Sequence, residues 1–271
     1  MEQNEKIMIL GTEIRVTVSP ESQSSKASCE YLKRGFCQVC DCDKCEGGFL
    51  VEEWKEAMRQ GCYTRGPREC DCVQLARNRK RLRESGLDRL VDRCTFDSFD
   101  IRHKWQSVVK NKALDYLKES TTKSFFISGQ SGSGKTHICT AICNEIIKNG
   151  GRLKYFQWVK DGTRLKQIVN ERDKYEEEVD EIIRMPYLYM DDLFKQEVSS
   201  ADIRLVYEII NGRYNADRPT IISSERNLDF IRRMRGGDGE AIAGRIYETC
   251  GKGQYCIELS GRDKNQRFMQ G

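Results

Sequence analysis

The residues with the clearest chemistry in this chain form the run Gly129-Gln-Ser-Gly-Ser-Gly-Lys135-Thr136, which matches the phosphate-binding loop G-x-x-x-x-G-K-[ST] at every fixed position. Its glycines allow a tight turn whose backbone N–H groups point at phosphate oxygens. Lys135 is then expected to bridge the outer phosphates, and the Thr136 hydroxyl to ligate Mg²⁺. The run therefore predicts a site for a nucleoside triphosphate and magnesium.

The flanks of this loop decide whether it is a chance Gly/Ser-rich turn. A short β-type run precedes it at 123–128, and residues 135–148 carry apolar side chains at helical spacing. Such a strand–loop–helix context favours the phosphate site. We expect the nucleotide to contact the following residues, although a packing or surface role is more typical of the last: Gly129, Gln130, Ser131, Gly132, Ser133, Gly134, Lys135, Thr136 and His137.

Acidic residues at the end of a later strand are the expected partners of the loop. The apolar run 187–190 leads into Asp191 and Asp192. Carboxylates at the carboxyl edge of a parallel sheet lie beside such a loop. We assign Asp191 to magnesium, directly or through water, and Asp192 to the attacking water. Ser223, Ser224 and Glu225, ending the next strand, either sense the terminal phosphate or form an ordinary exit from the strand.

Arg245 lies in the run 240–248, which has the pattern of an amphipathic helix. From such a position an arginine could reach the phosphates of a neighbouring subunit and stabilise transition-state charge. Surface arginines on helices are common, so residue chemistry alone leaves both readings open.

Cysteines are concentrated in the first third of the chain, where nine of the thirteen precede residue 95. Thiols stay reduced in the cytosol, which favours metal binding over disulfides. We expect zinc to be held by Cys42, Cys45, Cys70 and Cys72, with Cys37, Cys40 and Cys62 as alternates or, with Cys29, as ligands of a second ion. A redox C-x-x-C lacks its βαβ context here, and spacing alone leaves an iron–sulfur cluster open.

Composition limits the class of protein. Charged residues make up 32% of the 271, and no apolar run reaches the length of a membrane span. The first residues lack the pattern of a secretory signal, which predicts a soluble, cytosolic protein without a membrane partner. Between residues 76 and 93, seven basic residues oppose three acidic ones. This segment is either a surface for nucleic acid or an acidic partner, or a solvated helix face.

The elements that must position these residues follow an α/β pattern. Alternation predicts a parallel sheet flanked by helices, with helices near 104–119, 161–184 and 201–214 and strands near 152–159, 220–223 and 254–259. Alternating Ile14, Val16 and Val18 predict a peripheral edge strand. We expect two domains: 1–99, a small Cys-rich zinc-binding domain ending in a basic helical linker from about 75, and 100–271, the nucleotide-binding domain.

An ordered set of segments resembles the DnaC/DnaI-type helicase loaders, in the version carried by Gram-positive bacteria and their phages. The segments are Gly86-Leu, Cys94–Phe99, Gly129–Thr136, Tyr189–Lys195, Pro219–Glu225 and Ala241–Ile246. The resemblance implies an AAA+ ATPase fold, ATP as the nucleotide, and a protein that binds the replicative hexameric helicase and places it on single-stranded DNA.

Carried over residue by residue, the resemblance implies that Asp191 and Asp192 are the Walker B acids and that Ser224 or Glu225 is sensor 1. It places Arg245 at the arginine-finger position, which implies a homo-oligomer. Many relatives carry Asn where this chain has Glu225, so hydrolysis is expected to be slow or differently gated. We expect no helical lid after Arg267, and an open pocket completed by a neighbouring subunit or partner.

Two other functions remain open at this point. One is a transposition helper ATPase of the IstB kind, which acts on duplex DNA beside a transposase and usually lacks a cysteine module. The other is a nucleotide-gated zinc adaptor whose ATP site does not turn over.

Overall fold

The computed structural model describes residues 80–259 except 82, 235 and 236, with their side chains apart from that of residue 88, and the backbone of four strands before residue 51. The chain divides into two compact units, Met1–Arg77 and Asn78–Gly271. Among the described helices, none is long and apolar enough to cross a membrane.

The first unit contains two antiparallel pairs of strands. β1 (Gln3–Ile9) pairs with β2 (Thr12–Val18), with Ile7 opposite Ile14. The strand predicted from the alternation of Ile14, Val16 and Val18 is thereby confirmed. β3 (Cys45–Glu46) pairs with β4 (Phe49–Leu50) on either side of two glycines in the sequence.

The second unit is built on a five-stranded sheet. Its strands are β5 (Phe125–Gly129), β6 (Leu153–Gln157), β7 (Tyr187–Leu193), β8 (Thr220–Ser224) and β9 (Cys256–Leu259). They lie in the order β6-β7-β8-β5-β9, and every neighbouring pair is parallel. The apolar runs of β5 and β8 are fully buried, as expected for strands covered by helices on both faces. The predicted α/β class is confirmed.

Helices flank this sheet. They are α1 (Asp88–Val91), α2 (Lys104–Leu117), α3 (Lys135–Lys148), α4 (Thr163–Gln167), α5 (Arg172–Arg184), α6 (Ser200–Asn215), α7 (Leu228–Arg232) and α8 (Asp238–Thr249). The central helix is α3, whose Ile138, Ile142 and Ile146 lie in the core. Cys139 and Cys143 on the same helix are fully buried and pack as small hydrophobes.

The single long helix predicted over 161–184 is wrong. A π-helical turn, Trp158–Gly162, and α4 are separated from α5 by a turn at residues 168–171. The indole of Trp158 is buried beside Phe156 and Phe194, and a Cβ at Gly162 would lie 3.2 Å from that indole. Trp158 and Gly162 thus account for the π-helical start of this segment, and the buried Ile168 lies in the turn that ends α4.

Residues 78–99 belong to the second unit, whereas we expected the boundary between domains at residue 99. Leu87, Val91, Phe96 and Phe99 lie in the core of that unit. Exposed charged and polar residues lie between these apolar ones, so the segment buries one face and solvates the other. A basic composition alone did not reveal this buried face.

Candidate nucleotide-binding site

The phosphate-binding loop connects β5 to α3. Gly134, which precedes α3, has a φ of 83°. Gly129 has a φ of 152°, and a Cβ there would lie 2.7 Å from the Cβ of Leu259 on β9. Both positions therefore require glycine. The Ser133 hydroxyl donates to the carbonyl oxygen of Gln130 at 2.8 Å, and the positive end of the α3 dipole faces the loop.

Lys135 folds back over this loop. Its Nζ donates to the carbonyl oxygens of Gly129 at 2.8 Å and of Gln130 at 2.9 Å, and the residue is only 4% exposed. Burial lowers the pKa of Lys135, while the nearby carboxylates of Glu225 and Asp192 oppose that shift. The ammonium group of Lys135 therefore lies against the loop, and the carboxylates of Glu225 and Asp192 lie on its other side.

A cavity of about 230 Å³ opens beside Lys135. It is the space in which phosphates would be bound by the loop. Its lining includes most of the predicted site, together with one lysine that the sequence analysis did not single out: Ser131, Gly132, Gly134, Lys135, Thr136, His137, Asp192, Lys195 and Glu225.

The structure brings Thr136 and Asp191 together across 55 residues of sequence. The Thr136 hydroxyl donates to Oδ1 of Asp191 at 3.2 Å. A hydroxyl and a carboxylate are oxygen donors of the kind that Mg²⁺ prefers, with phosphate oxygens and water completing its shell. These two residues therefore fit the magnesium ion expected with a nucleotide.

Asp191 lies in a cluster of hydroxyl groups from three neighbouring strands. Its carboxylate accepts hydrogen bonds from Tyr155 at 2.8 Å, Tyr189 at 2.6 Å and Ser223 at 2.5 Å. Burial, together with the charge of Asp191, raises the pKa of both tyrosines, so both remain donors. The cluster fixes the orientation of a carboxylate that is only 6% exposed.

A β-bulge separates the two acids. Pairing between β7 and β8 is irregular between Met190 and Leu193, and Asp192 has a φ of 56°. The backbone N–H of Asp192 donates to the Ser223 hydroxyl at 3.0 Å, and its side chain lines the cavity. Bulges commonly redirect a side chain in this way. Asp191 is thus directed into the hydroxyl cluster, and Asp192 to the open space.

Of Ser223, Ser224 and Glu225, the three residues considered at the end of β8, only Glu225 lines the cavity. Ser224 is fully buried; its hydroxyl donates to the carbonyl oxygen of Leu193 at 2.7 Å and accepts from the N–H of Arg226 at 2.9 Å. Ser224 therefore stabilises the strand exit. The preceding residue, Ser223, is the serine that touches both acids.

His137 connects α3 to the segment before α2. Its Nε2 lies 2.9 Å from the carbonyl oxygen of Thr95 and 3.3 Å from the Ser98 hydroxyl. Its ring packs edge-on against Phe99, with the centroids 5.3 Å apart. The packing role considered for this residue is therefore present, on a side chain that also lines the cavity.

Arg245 lies far from its own phosphate loop. Its guanidinium stacks over the rings of Tyr207 at 5.1 Å and Tyr214 at 5.6 Å, both on α6. It also lines a small pocket with Ser124 and Thr220, at the amino ends of β5 and β8. Arg245 is thus at the edge of the sheet opposite the loop, and any contact with phosphates would be with those of another subunit.

The predicted zinc ligands fall outside the residues whose side chains the structure describes. This holds for the favoured set and the alternates alike: Cys29, Cys37, Cys40, Cys42, Cys45, Cys62, Cys70 and Cys72. Within the described side chains, from residue 80 onward, no group of three or more His, Cys, Asp or Glu residues could hold a metal ion.

Sequence reasoning missed Tyr155, Tyr189 and Lys195. The pairing of Tyr155 with Tyr189 across β6 and β7 carries the first hydroxyl to Asp191. That register is a property of the sheet and has no local signal. Lys195 lies only three residues after Asp192, which is a weak local signal. The signal is weak because the turn between the two residues determines where the lysine side chain points.

Comparison with known families decides the relationship of the chain. The family described as "IstB-like ATP binding protein" matches residues 71–251, which is more than half of the chain. The chain belongs to this family. The match includes the phosphate loop, both acids, Glu225 and Arg245, and begins after most of the cysteine cluster.

Relatives of this IstB-like protein include two from Bacillus subtilis (strain 168). The uncharacterized protein YqaM is 27% identical over 227 residues, which cover 79% of this chain and 66% of YqaM. The phage-like element PBSX protein XkdC is 27% identical over 249 residues, 84% and 86% of the two chains. The replicative helicase loader DnaC of Escherichia coli (strain K12) is 24% identical over 155 residues, 56% and 63%. The matched regions span less than two thirds of YqaM and DnaC.

Solved structures agree on the fold. The crystal structure of DnaI has a TM-score of 0.54 at 21% identity, covering 64% of this chain and 94% of DnaI. The crystal structure of the DnaC helicase loader has a TM-score of 0.52 at 22% identity, covering 62% and 97%. The resemblance of this IstB-like protein to DnaC/DnaI-type AAA+ loaders, phage-like relatives included, is confirmed.

Proposed function

We propose that this IstB-like protein is an ATP-dependent DNA replication protein that binds a replicative hexameric helicase and loads it onto single-stranded DNA. One observation carries the proposal: a single cavity gathers Lys135, Thr136, Asp192 and Glu225, with Asp191 bonded to Thr136. These residues support nucleotide hydrolysis. The relatives of the chain include proteins named replicative helicase loaders, which supports the loading role.

In this proposal each residue has a defined part in hydrolysis. The loop N–H groups and Lys135 bind the phosphates, and Thr136 and Asp191 hold magnesium, which neutralises charge on the transferred phosphoryl group when bound. Asp192 orients and polarises the attacking water. Because phosphoryl transfer depends mainly on positioning and electrostatics, the bulge that directs Asp191 and Asp192 to different places matters as much as the acids themselves.

Arg245 would complete the site of a neighbouring subunit. Its stacking on Tyr207 and Tyr214 supports the guanidinium at the edge opposite the phosphate loop. In a head-to-tail homo-oligomer that edge would face the next subunit's phosphates. The pocket of one chain would then reach full activity only in such an assembly or with a partner.

The cysteine-rich segment would be the helicase-docking module of this protein. We propose zinc ligation by Cys42, Cys45, Cys70 and Cys72. Serine at positions 42 and 45 is expected to release zinc and to abolish helicase binding. The isolated 100–271 fragment is a poor control, because residues 78–99 contribute to the core of the ATPase unit. A fragment beginning at residue 78 is the better one.

The decisive experiment is co-purification with the host's hexameric helicase, with and without ATP, followed by native mass spectrometry. A stable complex of fixed stoichiometry, altered by ATP and lost with the Cys42/Cys45 double serine variant, is expected. Absence of any complex under both conditions would rule out a loader. We expect the assembly to form in the cytoplasm.

A transposition helper of the IstB kind is the second candidate, favoured by the description of the matched family. Fluorescence anisotropy with duplex and single-stranded oligonucleotides of equal length separates the two. ATP-dependent preference for the duplex would favour the helper. A non-hydrolysing zinc adaptor is tested by steady-state phosphate release, since turnover abolished by Lys135→Ala eliminates it.

A further inference from the structure

Lys195 is a second lysine in the phosphate cavity. Its Nζ lies 2.5 Å from Oδ2 of Asp192 and 3.9 Å from Oε1 of Glu225. The side chain is 41% exposed and lines the same cavity as Lys135. It therefore lies between the residue proposed to orient water and the acid at the sensor 1 position.

The backbone before Lys195 is built to direct it there. Asp192 and Phe194 both have a φ of 56°, in the left-handed region that non-glycine residues seldom adopt. Such a residue is strained and persists only where packing enforces its conformation. Here Phe194 is fully buried, with its ring 5.5 Å from that of Trp158. With Phe194 fixed inside, the next side chain points outward into the cavity.

The charges around Lys195 explain why a cation is needed. Glu225 occupies a position where the resemblance leads one to expect asparagine, and a carboxylate beside a triphosphate is repulsive. Lys195 offsets that charge and also pairs with Asp192. The hydrogen bond to Asp192, with the charges of Asp192 and Glu225, raises the pKa of Lys195, so it stays a cation.

We propose that Lys195 is a second phosphate-binding residue, which pairs with Asp192 and Glu225 and turns to the terminal phosphate of a bound triphosphate. The flexible four-carbon stem of lysine allows that change. Release of Asp192 from its ion pair then lets it orient the attacking water. The site thereby distinguishes triphosphate from diphosphate within one chain. This inference rests on the proposed function, namely that the cavity binds ATP.

Calorimetric titration with Mg²⁺ and either AMP-PNP or ADP tests the role of Lys195. For Lys195→Ala we expect about tenfold weaker binding of AMP-PNP, because one charge-assisted hydrogen bond to the terminal phosphate is lost. Binding of ADP is expected to change less than about twofold, because ADP lacks the phosphate that Lys195 would contact. Lys195→Arg should restore most of the preference, and Lys195→Gln, which retains a polar chain, should not.

A matched control is available at Lys118. It pairs with Asp115 at 2.7 Å with the same three-residue spacing, but on the exposed end of α2. Lys118→Ala should alter neither affinity. Equal weakening of AMP-PNP and ADP by Lys195→Ala, or no weakening at all, overturns the inference while leaving the ATP site in place. A wild-type protein that binds neither nucleotide overturns the proposed function itself.

Discussion

Lys135 and Arg213 are both buried cations, at opposite edges of one sheet. Lys135 is 4% exposed at the carboxyl edge, and Arg213 is 1% exposed at the amino edge. Both are surrounded by main-chain carbonyl oxygens. Burial lowers the pKa of both, that of Arg213 to about 9. By depth of burial and by the direction of these pKa shifts, the two residues look alike.

Their hydrogen bonds separate them. Arg213 donates five times, at 2.6 to 3.2 Å, joining the end of α5 to the starts of β7 and β8; the acceptors are Ile182, Ile183, Met185, Pro219 and Thr220. Among the described residues, Lys135 donates to two carbonyl oxygens, and it borders a cavity with acids on its other side. A buried cation is therefore a functional candidate when it has donors to offer and space in front of them, and a structural one when its donors are already used.

The largest expected effect comes from Lys135→Ala. We expect ATP turnover to fall about a thousandfold, to background, because phosphate charge loses its principal cation. The free energy of unfolding should change by less than about 1 kcal/mol, since two hydrogen bonds to half-buried loop carbonyls are lost. Steady-state phosphate release and urea unfolding measure the two quantities. A variant destabilised by several kcal/mol would erase the contrast with Arg213.

Arg213→Leu should have the opposite effects, lowering the free energy of unfolding and leaving ATP affinity unchanged. It leaves four carbonyl oxygens without their donor, which is expected to destabilise the unit by about 3 kcal/mol. Urea unfolding measures this loss, and ATP affinity of the folded fraction should be unchanged. Arg213→Lys, which can replace some of the bonds, should fall between the two. If Arg213→Leu lost ATP binding while unfolding normally, the role of Arg213 would not be purely structural.

Asp192→Asn sharpens the functional side of the comparison. We expect unchanged ATP binding and about a hundredfold slower hydrolysis, because the amide cannot polarise water as the carboxylate does. Equilibrium binding and single-turnover hydrolysis separate the two steps. Hydrolysis at the normal rate would show that Asp192 does not act on the attacking water.

Local sequence patterns predicted the framework of this comparison well. The helix α3 was expected over 135–148 and is observed as Lys135–Lys148, because glycines fix its start and the pair at 150–151 follows its end. The loop and both acids were found since their chemistry lies within a few consecutive residues. What the sequence could not supply was the set of partners of Asp191, which depend on strand register, and the bulge that separates Asp191 from Asp192.

The same limit explains the errors. The break in the helix expected over 161–184 lies at the buried Ile168, and the inclusion of residues 78–99 in the second unit follows from the burial of Leu87 and Phe99 in its core. Arg213 had no pattern that set it apart from the chain's exposed arginines. Such distinctions depend on long-range contacts, which composition and periodicity do not encode.

Asp191 resembles Arg213 because its hydrogen-bonding capacity is filled. It nevertheless lies at the carboxyl edge of the sheet, beside the phosphate loop, and therefore gives the most stringent test of the comparison. Tyr155 provides one of its four donors, at 2.8 Å. For Tyr155→Phe we expect the Mg²⁺ concentration for half-maximal ATP hydrolysis to rise about fivefold. The reason is the loss of one hydrogen bond that orients Asp191, worth about 1 kcal/mol. The unfolding free energy should change little, since three donors remain.

Tyr175→Phe is the matched control for this small effect. The hydroxyl of Tyr175 also donates to a carboxylate, that of Glu208 at 2.6 Å, but between α5 and α6 and away from the cavity. It should leave the magnesium dependence unchanged. If Tyr155→Phe instead lowered the Mg²⁺ requirement, the hydroxyl would be competing with the metal for Oδ2 of Asp191. The filled shell of Asp191 would then be a resting arrangement that magnesium displaces, unlike the permanent one around Arg213.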